Sequence, residues 1–178
     1  MPQLSIADVV QQIQSKLPAV DPARTADVFH AGDPSAAVLG VVVTFQATRA
    51  VCDEAIRRGA NLIITHEPTF YADGPGLEDD PVVDAKRKFI ADSKLAIWRS
   101  HDGMHRHKPD LIVTGMAREL GWLDLTADDD ARVFELPEPT TLLDLLGYVR
   151  SRLKIEGLRY VGDPAMLVST VALLSLIH

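Results

Sequence analysis

Apolar residues along the chain alternate between helical spacing and unbroken β-branched runs. Ile6, Val9, Val10, Ile13 and Leu17 recur at three- and four-residue intervals, behind a Ser5–Asp8 capping box and ahead of Pro18, and predict a first helix. Val38 to Phe45 (VLGVVVTF) is a continuous run, which predicts a strand buried on both faces. Thr48 is placed to cap a helix through Arg58, with Gly59 as its left-handed stop. Asn61 to Thr65 (NLIIT) and Leu95 to Arg99 (LAIWR) read as two further short strands. Between them lie an acidic Gly- and Pro-containing loop, Ala72 to Asp80, and a helix opened by Pro81 with Val82, Val83, Phe89 and Ile90 on its apolar face. Pro109 is expected to open another helix, closed by Gly121. Ala131 to Leu136 and a helix from Thr141 to Lys154 continue the alternation. This order predicts an α/β fold, a mixed, largely parallel sheet flanked by helices on both faces.

The last apolar run, Val168 to Ile177, reads as a core strand with only His178 beyond it. Folded domains usually finish in polar surface residues, so the expectation is a strand covered by a partner subunit or a chain cut short, with a natural C-terminal edge strand as the alternative.

Composition changes this picture little. The 178 residues carry 18 Lys and Arg against 25 Asp and Glu, a net charge of −7. An acidic balance argues against nucleic-acid binding, which needs clustered cations, and Lys86–Lys88 reads as a solvated helix face. Cys52 is the single cysteine, which excludes an intrachain disulfide and fits a reducing compartment. The N-terminus has no signal-peptide pattern, and no apolar stretch is long enough to span a bilayer, so a cytoplasmic protein without membrane contact is expected. Trp98 and Trp122 are expected in the core or at an interface and not as substrate-stacking residues.

The chemistry concentrates in two segments, Thr65-His66-Glu67-Pro68 and Ser100-His101-Asp102-Gly103-Met104-His105-Arg106-His107. Each directly follows a predicted buried strand. Ligands of open α/β sheets gather beyond the carboxyl ends of strands, so both segments face one crevice if their strands are neighbours. A single His-Glu pair in a loop is ordinarily a solvated turn, but two such segments at matching positions point to a site. Imidazole and carboxylate donors suit a divalent transition ion, Zn, Mn, Fe, Co or Ni, better than Ca or Mg. The zincin pattern fails, because Phe70 stands where its second histidine would be. Amidohydrolase barrels need about 250 residues and are excluded by length.

GANLIITHEPTFY, LAIWRSHDGMH, PDLIVTGMARELGW and LRYVGDP, preceded by GDP…VLGVVVTFQATRAVCDEAIRRG, resemble in order the motifs of the Nif-three-like family. Its members are also called dinuclear metal centre hexameric proteins or GTP cyclohydrolase type-two homologues. The resemblance runs from about Ser5 to Gly162 and implies a two-lobed α/β protein with metal in a cleft, assembled as a hexamer. The family's His-His before proline falls on His66-Glu67-Pro68, and its His-Thr-Asn-Leu-Asp on His101-Asp102-Gly103-Met104-His105. The resemblance thus implies His66, Glu67 and His105 as metal ligands, with one histidine and one carboxylate exchanged between positions. His101 and Asp102 are the expected catalytic pair, orienting a ligand or moving protons. The family's closing His-x-x-x-Glu pair has no counterpart after His107, which leaves three ligands for one or two ions. By this reading residues 1–136 form the metal-site lobe and 137–178 the start of a truncated second lobe. The expected function is a metal-dependent hydrolase of a nucleotide-like or other small molecule in a homo-oligomer. The alternative is a metal-binding or oligomeric adaptor without turnover.

Overall fold

The computed structural model describes residues 3–70, 80–130 and 132–174. The expected loop Ala72–Asp80 therefore falls, apart from Asp80, outside the described residues, as do the last residues of the expected strand Val168–Ile177. Two compact units form, residues 1–106 and 107–178.

The first unit contains α1 (Ile6–Gln14), β1 (Phe29–Ala31), β2 (Val41–Thr44), α2 (Arg49–Arg57), β3 (Leu62–Thr65), α3 (Pro81–Ser93), β4 (Ala96–Arg99) and α4 (Asp102–Arg106). Its four strands lie in the order β1–β4–β3–β2. β2, β3 and β4 run parallel, with Val43 opposite Ile64 and Ile64 opposite Trp98, while β1 joins β4 antiparallel. The two inner strands are buried along their whole length, as their unbroken apolar runs require. Alternation splits their side chains between two helix layers. Ile63 and Ile97 pack with Cys52, Ala55 and Ile90 of α2 and α3. Leu62, Ile64, Ala96 and Trp98 pack with Ile6 and Val10 of α1. The sheet is thus largely parallel and flanked by helices on both faces.

The helix ends follow the sequence chemistry. Ser5 and Asp8 exchange both bonds of the capping box on α1, and Thr48 and Asp80 cap α2 and α3.

The expected two-faced burial of VLGVVVTF is not found. Only Val41–Thr44 is strand, and Val41 and Val43 are 43% and 76% exposed. The cause is position: β2 is an outer strand, and α1 packs over β3 and β4 instead. The short β1 (FHA) gave no pattern of its own and makes the sheet mixed.

The second unit holds α5 (Leu111–Leu120), a 3-10 turn at Leu123–Leu125, β5 (Val133–Thr141), α6 (Leu142–Leu153) and β6 (Leu167–Ala172). Its core is Val113, Ala117, Leu120, Trp122 and Phe134. Because α5 shares this core with β5, α6 and β6, the unit begins at His107 and not at the expected 137. Pro109 lies outside α5; Asp110 caps the helix through the amides of Ile112 and Val113, and Gly121 ends it in the left-handed region. β5 extends beyond the expected Leu136, through Pro137 and Pro139. Its register with β6 shifts between Glu135 and Thr140, where prolines offer no N–H. β6 is largely exposed where a core strand was expected, because among the described residues its sheet has two strands.

Candidate metal centre

The parallel pairing of β3 with β4 sets Thr65 against Arg99. The next residues leave the sheet together, and the amide of Ser100 donates to the carbonyl of Thr65 at 2.9 Å. His66 is held by its amide, which is bonded to the carbonyls of Thr44 and Phe45. The second segment turns at once into α4, where the amide of His105 donates to the carbonyl of His101 at 3.2 Å. His101 stands directly before α4 and His105 within it, and the i, i+4 bond that closes this turn brings their rings to the same side.

The three imidazoles meet. Ring centroids of His66 and His101 are 4.7 Å apart, and His105 is 4.9 Å from each. One nitrogen from each ring lies within 4.8 Å of the other two. His66 Nε2 and His105 Nε2 are 3.1 Å apart.

The outer nitrogens fix the tautomers. His66 Nδ1 faces the carbonyl of Ser100 at 3.1 Å, and a carbonyl can only accept, so Nδ1 carries the hydrogen and Nε2 is bare. His101 Nδ1 likewise donates to Asp102 Oδ1 at 2.8 Å. Nε2 is therefore the bare nitrogen of both His66 and His101, and each ring is backed by an acceptor, as metal-bound histidines are. Burial pushes the pKa of His66 below its ordinary value, and the neighbouring His101 and His105 add to this against the opposing Ser100 carbonyl. For Asp102, burial would raise the pKa, but bonds from His101, Ala26 and Thr25 outweigh it and hold the carboxyl low.

Three histidine nitrogens that lie within 4.8 Å of one another could hold a metal ion. Imidazole nitrogens bound at about 2.0–2.1 Å stand roughly 2.9–3.4 Å apart at octahedral to tetrahedral angles, which brackets the spacing of His66 and His105.

Of the residues expected from the sequence, His66, His101, Asp102 and His105 come together. Glu67 stands beside them but faces Arg99, with Oε2 at 3.7 Å from the guanidinium. The histidine that completes the cluster is His101, for which an orienting or proton-moving role was expected. His107 Nδ1 turns to the carbonyl of Pro109.

Two residues that the sequence reading passed over shape the site. Arg99 is 5% exposed and donates from Nε to the carbonyl of His66 at 2.9 Å. Asp27 is buried and accepts from the amides of His101, Asp102 and Gly103. The i, i+4 spacing of His101 and His105 was a signal for their pairing; Asp27, in a polar loop, gave none.

A GTP cyclohydrolase 1 type 2 homolog of Clostridium acetobutylicum is 27% identical over 154 residues, 81% of this chain and 57% of that protein. The chain thus spans little more than half the length of that curated relative. A Bacillus cereus protein related to NIF3 superposes with a TM-score of 0.76 at 14% identity, over 96% of this chain and 76% of that one. A Staphylococcus aureus hypothetical protein superposes with a TM-score of 0.74 at 16% identity, over 94% and 70%. These two likenesses show the fold. The model of the Duf34/NIF3 (NGG1p interacting factor 3) family matches residues 4–175, nearly the whole chain, and the protein belongs to that family.

Proposed function

We propose that His66, His101 and His105 hold a divalent transition ion and that the site serves hydrolysis of a nucleotide-like or other small molecule. The observation that carries this reading is the convergence of three imidazoles, with one nitrogen of each within 4.8 Å, at the carboxyl ends of adjacent parallel strands. His101 is favoured over Glu67 as third donor because its ring lies in the cluster and Glu67 faces Arg99. When bound, such an ion acts as a Lewis acid on a substrate oxygen and makes water more acidic.

The chain's own residues have separable tasks. The Ser100 carbonyl and the Asp102 carboxylate hold His66 and His101 with Nε2 presented. Asp102 is committed to this by bonds from His101 and the amide of Ala26, which leaves little capacity for proton transfer. Glu67, a quarter exposed and next to His66 in sequence, is the better placed base. Arg99 stands beside that carboxylate, its guanidinium 3.7 Å from Oε2. The name carried by the Clostridium relative makes GTP the first substrate to try.

The test is metal content per chain by mass spectrometry on tag-free protein purified without added metal, against His66→Ala/His105→Ala. About one equivalent in the wild type, lost in the folded variant, supports the site; metal near zero in both overturns it. A metal-loaded protein that consumes none of a panel of nucleotides and phosphoesters, GTP included, overturns the hydrolase half and leaves metal binding standing.

A further inference from the structure

We infer that Asp27 is a positioning residue for the imidazole cluster, holding the turn from which His101 and His105 project. Its carboxylate, 7% exposed, accepts from three consecutive amides: His101 and Asp102 on Oδ1, the latter at 2.7 Å, and Gly103 on Oδ2 at 2.9 Å. A buried carboxylate is costly unless its lone pairs are filled, and three charge-assisted bonds fill them here. The grip is reciprocal, since the amide of Ala26 donates to Asp102 Oδ2 at 3.0 Å. Residues 26 and 27 thus clasp the start of α4 by its backbone and by the carboxylate that orients His101.

Gly103 makes the approach possible. A Cβ there would stand 3.1 Å from Asp27 Oδ2 and 3.1 Å from Leu17 Cδ1. The bare Cα lets the carboxylate reach the amide ahead of it.

His66 leaves the end of a buried strand and needs no such support. The other two imidazoles come from His101, immediately before the five-residue helix α4, and from His105 within it. Without Asp27 that turn loses its anchor and the angle between His101 and His105 is free to vary. Donor number is unchanged, so affinity falls through lost preorganisation. This inference rests on the proposed metal reading.

The test titrates Co(II) into the metal-free full chain of wild type, Asp27→Asn and Asp53→Asn, the last an exposed carboxylate paired with Arg49. Asp27→Asn keeps the shape but sets amide hydrogens against backbone N–H groups. Expected is Co(II) binding weaker by about 10- to 100-fold in Asp27→Asn with unchanged far-ultraviolet circular dichroism, and wild-type affinity in Asp53→Asn. A folded Asp27→Asn that binds Co(II) as the wild type does overturns the inference and leaves the metal reading intact. A second measurement needs neither metal nor a stable variant: amide hydrogen exchange at His101, Asp102 and Gly103 in the metal-free wild type. Strong protection at all three supports the clasp, and exchange at the unprotected rate overturns it, whether or not Co(II) binds.

Discussion

Thr65 and Arg99 are register partners at the ends of β3 and β4, and this pairing brings His66 beside His101. Both strands are parallel and fully buried, so the position of their ends is set by the packing of the core. A register slip of one residue would turn every side chain of a strand to the other helix layer. The site therefore inherits its precision from the packing of Ile63, Ile97, Leu62 and Trp98.

The choice of third donor is open to direct measurement. His101→Ala is expected to strip the chain of retained metal, while Glu67→Gln is expected to retain it within about threefold, since only an orienting charge beside the site changes. Metal per chain by mass spectrometry after dialysis separates the two. Retention in His101→Ala together with loss in Glu67→Gln would return the ligand set to His66, Glu67 and His105.

Two glycines with similar backbone angles are expected to respond very differently to alanine. Gly32 has φ +88, and a Cβ there would meet the Cα of Ala96 at 2.3 Å and the carbonyl oxygen of Leu95 at 2.7 Å. Gly59 has φ +71 with nothing within 4 Å. Gly59→Ala should cost about 1–2 kcal/mol, the left-handed penalty alone. Gly32→Ala adds a backbone collision between β1 and β4 and should cost about 3 kcal/mol or more, by urea denaturation. Equal costs would mean that β1 moves aside freely.

Ser5→Ala removes the hydroxyl that accepts from the amide of Asp8 at 3.1 Å and should destabilise the protein by about 1 kcal/mol. Circular dichroism during urea unfolding would register it. No change would mean that α1 is held by Ile6 and Val10 alone.

That cap belongs to the part of the structure written in local chemistry. Ser5, Thr48 and Gly121 act as caps and stops where their types and spacing placed them, because a cap concerns only residues within one turn. NLIIT and LAIWR were legible because strands buried on both faces admit no polar position. VLGVVVTF has the same composition and a different fate, since nothing inside a strand says whether a neighbour will cover it. β1 is three residues long, too short for any period. The site divides in the same way. The histidines stood out by type and by their place after strands. Preference for His101 over Glu67 depends on one turn of α4 and on Arg99 reaching across from β4. Asp27 acts on residues more than seventy positions away, a relation that only the folded chain contains.

Cys52 offers a measure of pH dependence. Burial raises its thiol pKa above the ordinary 9.0, against the pull of Lys86. A group whose folded pKa is raised contributes stability below its unfolded pKa and loses it as pH rises through the folded value. Cys52 should therefore resist iodoacetamide at pH 8 in the native protein and react in urea. Wild type should also lose more stability than Cys52→Ala as pH climbs past about 9. Parallel stability curves for the two proteins would show that the thiol ionises as freely folded as unfolded.

Val43 and Ile63 are both aliphatic residues of the parallel sheet, on β2 and β3, yet Val43 is 76% exposed and Ile63 fully buried. Ile63→Ala should cost about 2–5 kcal/mol through a cavity between the sheet and α2. Val43→Thr removes apolar surface that water already reaches and should fall within about 0.5 kcal/mol of wild type. The comparison is best made by urea denaturation at two protein concentrations tenfold apart. If Val43→Thr costs as much as a core residue, and the cost grows with concentration, the outward face of β2 is covered by a second copy in solution. A small cost at both concentrations means that the exposed valines are simply the solvent side of an outer strand.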